Sequence, residues 1–183
     1  MDQDMMKFYK YQGAGNDFLI ADNRDGHITE KDGLLTATQK DGALWSRRIE
    51  DLCDRRYGVG ADGLMLLESG INLASPSEEP IDFKMVYFNS DGSGGMMCGN
   101  GGRCMVAFAK DCGVEGIDLP DGTKKYSFIA ADGPHEAYVL EDNEGGKVVR
   151  LKMKDVQEIR KYDSLKGVSV TSKGAVLDTG TRH

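Results

Sequence analysis

The chain has 183 residues with Lys+Arg 23 against Asp+Glu 30, a formal net charge of -7 spread along its length, and no massed basic run. That is long enough for one ordinary domain with a real core or two small ones sharing an interface, and the charge excludes a nucleic-acid footprint or a surface that seeks anionic lipid, leaving small molecules or protein as partners. The opening MDQDMMKFYKYQGAGNDFLI lacks an apolar leader core, and the densest apolar run, Leu64 to Leu67, is far too short to span a bilayer, so a cytoplasmic protein is expected.

Residues 7–11 (KFYKY) and 17–21 (DFLIA) read as short strands joined by the polar link Gln12-Gly13-Ala14-Gly15-Asn16. Between Thr36 and Tyr57 a helix is expected, because Trp45, Ile49 and Leu52 fall at i, i+4, i+7 and so share one face. It stops at Gly58. Residues 63–68 (GLMLLE) and 82–88 (DFKMVYF) read as strands divided by an exposed loop, SGINLASPSEEPI. A second helix runs from Gly99 or Asn100 to about Cys112, with Met105, Phe108, Ala109 and Cys112 on one side and Gly113 as a left-handed stop. Residues 126–131, 136–141 and 147–153 form an antiparallel meander across Asp132-Gly133-Pro134 and Asp142-Asn143-Glu144-Gly145-Gly146. Residues 154–162 read as irregular, and 167–171 and 175–177 as a last pair of strands. Strands and helices do not alternate as in a doubly wound sheet, so the class is α+β: antiparallel strands wrapped around one central helix.

The four cysteines are Cys53, Cys98, Cys104 and Cys112. With no secretory leader in view, free thiols are the default. No CxxC pair exists, and His27, His135 and His183 have no ligand-like spacing to a cysteine, so a zinc site is not expected.

The chemistry concentrates in Asn89-Ser90-Asp91-Gly92-Ser93-Gly94-Gly95-Met96-Met97-Cys98-Gly99-Asn100-Gly101-Gly102-Arg103-Cys104. A cysteine just before small residues that open a helix has its sulfur near unpaired N–H groups and the positive end of the helix dipole. Such a setting favours the thiolate; a free thiol titrates at about 8.5, and helix N-termini bring cysteines down toward neutrality. The amides of Gly99, Asn100 and Gly101 are then free to hold an anion such as an α-carboxylate. Base and carboxylate cradle would sit side by side, as deprotonation of an amino-acid α-carbon requires. The plainer reading is that Cys98 caps a buried helix while the glycines serve close packing, and on the residues alone both stand. Cys104, ~9 Å further along the helix, is too far from Cys98 for a disulfide and reads as core, as do Cys53 and Cys112. Gly58-Val59-Gly60-Ala61-Asp62-Gly63 has GxGxxG spacing, but it follows a helix and leads into a strand, so it reads as a return loop rather than a nucleotide site.

Taken together, KFYKYQGAGNDFLIAD, LCDRRYGVGADGLMLLE and YFNSDGSGGMMCGNGGRC resemble the three N-terminal signatures of the diaminopimelate epimerases, in order and with sensible spacing. The resemblance runs from about Lys7 to His183. It implies a cofactor-independent isomerase that converts LL- to meso-diaminopimelate in lysine and cell-wall precursor biosynthesis by proton transfer between two cysteines, working as a homodimer. By the same resemblance Cys98 is the first catalytic cysteine, the amides of Gly99 and Asn100 hold the substrate carboxylate, the side chains of Asn16 and Asn89 hold the distal amino-acid end, and His183 tunes the catalytic thiols. The chain departs from the pattern where Thr181 and Arg182 replace the usual Asn or Ser and Pro, and where Gly63 stands in place of a substrate-contacting glutamine found in some members. The ACGTG-type element with the second cysteine, and the ERG-type stretch before it, do not occur. Residues 1–153 are therefore expected to form the N-terminal lobe and 154–183 the start of a truncated second lobe, the chain alone being inactive. The rivals are another isomerase of the same fold, proline racemase-like or from the phenazine pathway, and a non-catalytic one-lobe binding protein.

Overall fold

The computed structural model describes residues 7–38, 42–70 and 80–154 and, as backbone strands only, 159–162 and 174–177. Strands β1 (Tyr9–Gly13) and β2 (Asn16–Asp22) form an antiparallel hairpin closing on Gly13↔Asn16. Its two-residue turn puts Ala14 at φ 53° and Gly15 at φ 89°, the left-handed pair that matches strand twist in tight hairpins. A separate three-stranded antiparallel meander follows, β3 (Ile28–Lys31), β4 (Leu34–Thr38) and β5 (Leu44–Arg48), running directly into a short helix, α1 (Ile49–Cys53). Then come β6 (Gly63–Ser69), β7 (Phe83–Asn89), the long helix α2 (Gly99–Asp111), β8 (Ile117–Asp118), β9 (Lys124–Ala130), β10 (Gly133–Asn143) and β11 (Gly146–Leu151).

The main sheet has strand order β1-β2-β6-β7-β9-β10-β11, with β8 added on β9. Two of its pairings, β2 with β6 and β7 with β9, are parallel. Each spans a long crossover, as parallel neighbours must: the meander and α1 link the first pair, α2 the second. The other pairings are antiparallel, including the expected β9-β10-β11 meander.

Alternation along β2 and β6 builds two cores on opposite faces of this sheet. Phe18, Ile20, Met65, Leu67, Phe83 and Met85 pack with Met105, Val106, Phe108 and Ala109 of α2. Leu19, Ala21, Leu64, Leu66 and Phe88 pack with Leu35, Ala37, Ile49 and Cys53 from the meander and α1. Because both faces are covered, the sequences of these strands are continuous apolar runs rather than alternating ones. The sheet curls around α2, which touches β1, β2, β6, β7, β10 and β11. The expected central helix is thus found between Gly99 and Asp111, with Met105, Val106 and Ala109 fully buried.

The helix expected between Thr36 and Tyr57 is corrected: among the described residues of that span only Ile49–Cys53 is helical, and strands β4 and β5 precede it. Leu35 and Ala37 are buried while Leu34 and Thr38 are exposed, a period of two that the helical spacing of Trp45, Ile49 and Leu52 obscured. Gly42, at φ 81°, lies in the β4–β5 connection and would interrupt a helix there. The glycine cluster after α1 is a return loop, in which Val59 and Gly60 N–H both donate to Leu52 O before β6 begins.

By backbone contacts the chain divides into Met1–Lys152 and Met153–His183. Within the second unit β12 (Ile159–Tyr162) and β13 (Gly174–Leu177) pair antiparallel from Ile159↔Leu177 to Tyr162↔Gly174. Residues 159–162, read as irregular, are therefore a strand. The strand expected at 167–171 and most of the 69–81 loop lie outside the described residues. Among the described residues no helix is long and apolar enough to cross a membrane.

Candidate active site

The site forms where β2 and β6 begin, β7 ends and α2 starts. Phe18, Gly63 and Asn89 lie side by side across β2, β6 and β7, so Asn16, two residues before Phe18, and Asn89 occupy the same end of the sheet. After Asn89 the chain turns on itself, with Gly92 N–H donating to Asn89 O and Asn89 N–H to Ser93 O. Gly92 has φ 82°, and a Cβ there would stand 3.1 Å from Gly33 Cα, so the β3–β4 turn abuts this loop through two glycines.

Cys98 is the N-cap of α2. Its backbone is extended, its carbonyl accepts from Gly102 N–H at 2.7 Å, and its sulfur accepts from Gly101 N–H at 3.4 Å. Sulfur thus takes the place of the usual Ser or Asp oxygen in satisfying a first-turn N–H. Gly99 and Asn100 occupy the first turn, where no intrahelical acceptor exists for their N–H groups. Gly101 is held close: a Cβ there would lie 3.2 Å from Met65 Sδ and 3.4 Å from Cys98 Cβ. Cys98 itself is half-buried, whereas Cys53 and Cys104 are buried.

Asn16 joins this helix terminus directly. Asn100 Nδ2 donates to Asn16 Oδ1 at 2.6 Å, and Asn16 Nδ2 donates to Asp62 Oδ2 at 2.9 Å. Arg103 donates to Asn100 Oδ1. Asp62 also accepts from Asp17 N–H at 3.2 Å and from Arg55 Nη2 at 2.7 Å, and Arg55 bridges on to Asp17 at 2.6 Å. The hydrogen bond from Arg55 holds the Asp17 carboxyl well below the usual range against the cost of burial, with Lys10 assisting from 2.9 Å. Asn89 belongs to a separate set, accepting from Tyr87 Oη at 2.8 Å and donating to Ser93 Oγ at 2.9 Å.

The remaining thiols are held neutral. Burial pushes Cys53 and Cys104 up to about 11 and raises Cys112 as well. A groove of about 590 Å³ runs along the flank of α2 between β1 and β11, lined by Lys10, Gly13, Arg103, Cys104 and Lys147; Cys98, Asn16 and Asn89 are not among its walls.

Of the residues singled out in the sequence, Cys98, Gly99 and Asn100 are consecutive at the start of α2, Asn16 is hydrogen-bonded to Asn100, Asn89 sits at the same end of the sheet, and His183 lies outside the described residues. Asp62, Arg55, Arg103 and Tyr87 were not singled out. All four lie inside the quoted signatures, but only Arg103 has a sequence spacing that points to its partner, as the i+3 neighbour of Asn100 on a helix.

A curled mixed sheet around a helix whose N-terminus is capped by a cysteine, with the Asn16 and Asn100 carboxamides bonded to each other beside it, defines an α+β fold. A phenazine biosynthesis protein of the PhzF family from Bacillus anthracis shares the fold, with a TM-score of 0.53 across 88% of this chain and 44% of that one, at 14% identity. The chain belongs to the diaminopimelate epimerase family, whose model matches residues 8–158. The diaminopimelate epimerase of Flavobacterium psychrophilum is 42% identical over 178 residues, 97% of this chain and 54% of that protein. That of Chlorobaculum tepidum is 39% identical over 171 residues, 93% of this chain and 53% of its own length. The chain spans about half the length of these relatives.

Proposed function

We propose that this lobe supplies the first of two bases in the epimerisation of LL-diaminopimelate to meso-diaminopimelate, an isomerase reaction of lysine and cell-wall precursor biosynthesis carried out in the cytoplasm without a cofactor. The observation that carries the reading is the helix terminus itself: a half-buried cysteine sulfur and the first-turn amides of Gly99 and Asn100, which have no acceptor within the helix, lie together at the start of α2, with Asn16 tied to Asn100.

The substrate α-carboxylate would lie on the Gly99 and Asn100 N–H groups, where hydrogen bonds and the positive end of the helix favour an anion. That places the α-carbon against the Cys98 sulfur. The thiolate takes the α-proton and becomes a thiol, while the electron pair left on carbon is stabilised by the adjacent carboxylate held on the amides. A second acid on the opposite face then delivers a proton to that carbon, inverting it; this donor comes from outside residues 1–153. Asn16 and Asn89 would hold the distal amino-acid end, and His183 would tune the thiols. The acidic surface suits a small-molecule partner rather than nucleic acid, and kinship to the epimerases favours a homodimer.

Titrating the isotope-labelled chain with diaminopimelate tests the assignment. The amide resonances of Gly99 and Asn100 and the side-chain resonances of Asn16 and Asn89 are expected to move together. Shifts confined to the β1–β11 groove instead would overturn it.

A further inference from the structure

Asn89 has a carboxamide whose two ends are nearly the same shape but opposite in hydrogen-bonding sense, so its usefulness to a ligand depends on which way it points. The neighbouring groups leave one choice. Asp91 is held ionised by its hydrogen bonds from the Ser93 side chain and backbone, and an ionised carboxylate only accepts. Ser93 Oγ therefore donates to Asp91 Oδ1, at 2.6 Å, and must accept from its other neighbour, Asn89 Nδ2, at 2.9 Å. Asn89 Oδ1 is thereby turned toward Tyr87, whose phenol donates to it at 2.8 Å.

Tyr87 can only do this because of how it is seated. Residues 87 and 89 project from the same face of β7, and Gly63, opposite Asn89, leaves the space between them open. A Cβ on Gly63 would stand 2.7 Å from the Tyr87 ring and 2.6 Å from Phe88 O. The ring is braced edge-on by Phe18, centroids 6.1 Å apart. Burial first, and then the nearby Cys98, push the phenol up to about 12, so it remains a donor across the working pH range.

We propose that Tyr87 is a positioning residue of the substrate site, its phenol locking the Asn89 carboxamide in one orientation so that Asn89 presents one free N–H and one free oxygen lone pair to the ligand. That pairing suits a zwitterionic amino-acid end: the carboxylate accepts the N–H and the ammonium donates to the oxygen. The inference rests on the proposed role of Asn89 as a substrate contact.

The test is a double-mutant cycle on this chain with Tyr87→Phe and Asn89→Ala, reading diaminopimelate affinity together with the Asn89 side-chain amide resonances of the ligand-free chain. Tyr87→Phe keeps the ring against Gly63 and removes only the hydroxyl. It is expected to weaken binding roughly 3- to 10-fold, the loss of one hydrogen bond, to have no further effect in the Asn89→Ala background, and to move the two Asn89 amide proton resonances, which stay separate because rotation about the C–N bond is slow. Equal losses in both backgrounds, or no loss, would overturn the positioning role. If the unaltered chain binds no diaminopimelate, the proposed function of the lobe fails. The resonances then decide on their own, since an Asn89 pair unchanged in Tyr87→Phe would refute the lock whatever the ligand.

Discussion

Four cysteines of one chain meet four different physical settings, and their reactivity should follow. Cys53 and Cys104 are buried in separate cores, 3% exposed each. With thiols at about 11, only on the order of one molecule in several thousand carries either thiolate at pH 7.4. Cys98 instead receives a backbone N–H at a helix N-terminus and reaches solvent. Alkylation at neutral pH followed by peptide mapping is therefore expected to label Cys98 first, and earlier labelling of Cys53, Cys104 or Cys112 would remove it as the base. At Asp17 the sign of the pH dependence can be worked out. Its folded-state pKa lies below the unfolded value of about 3.9, because Arg55 and Lys10 bind the charged form. The stabilisation is thus complete above about pH 4 and is lost as pH falls through the folded value. Asp17→Asn should lower stability at pH 7 and flatten the acid limb of the urea midpoint against pH; an acid limb as steep as in the unaltered chain would show that this ion pair does not contribute.

Among the elements, α2 carries most of the architecture. Phe108 is 1% exposed and meets the rings of Tyr9 and Tyr11 at 5.2 and 5.5 Å, tying the helix to the edge strand β1. Phe108→Ala is expected to cost about 3–5 kcal/mol in urea unfolding, through lost burial and an unfilled cavity; a cost under about 1 kcal/mol would mean the helix is not enclosed. This helix was legible beforehand because Met105 to Ala109 are apolar on every side and Gly113 marks its end. Strands β2, β6 and β7 were legible as short apolar runs bounded by Gly, Asn and Asp. The β4–β5 hairpin was not, since three apolar residues at helical spacing outweighed the alternation at Leu35 and Ala37. The parallel pairings of β2 with β6 and β7 with β9 follow from where crossovers pass, which no local pattern records. The site divides in the same way. Cys98, Gly99 and Asn100 form one contiguous motif with a mechanism attached to its spacing. Asp62 reaches Asn16 across 46 residues of sequence, and Tyr87 gains its role from facing a glycine on another strand. Both depend on register, which only the folded sheet supplies.

For the whole chain the decisive question is how many faces of an α-carbon it can serve. Inversion by a two-base route needs a proton donor opposite Cys98, and none of the other thiols is placed to be one. Cys104 lies beneath Gly13, whose Cβ would come within 3.1 Å of its sulfur, and Cys53 is in the core on the far side of the sheet. Cys112 caps the other end of α2, about 20 Å away along the helix axis. If Cys98 is the one base of the lobe, as proposed, it can still remove and return a proton on a single face, so exchange and inversion separate experimentally. Incubating this 183-residue chain with LL-diaminopimelate in deuterated water is expected to incorporate label slowly at the α-carbon next to Cys98 while the configuration is retained. Exchange should be slow because Cys98 is only half-buried, and a sulfur in contact with water is a less effective base than a desolvated one. Cys98→Ser should abolish the label, and Cys112→Ser should leave it unchanged. Formation of the meso isomer at a rate comparable to a complete epimerase would mean that a second acid lies within these residues, and the two-base division between lobes would fall.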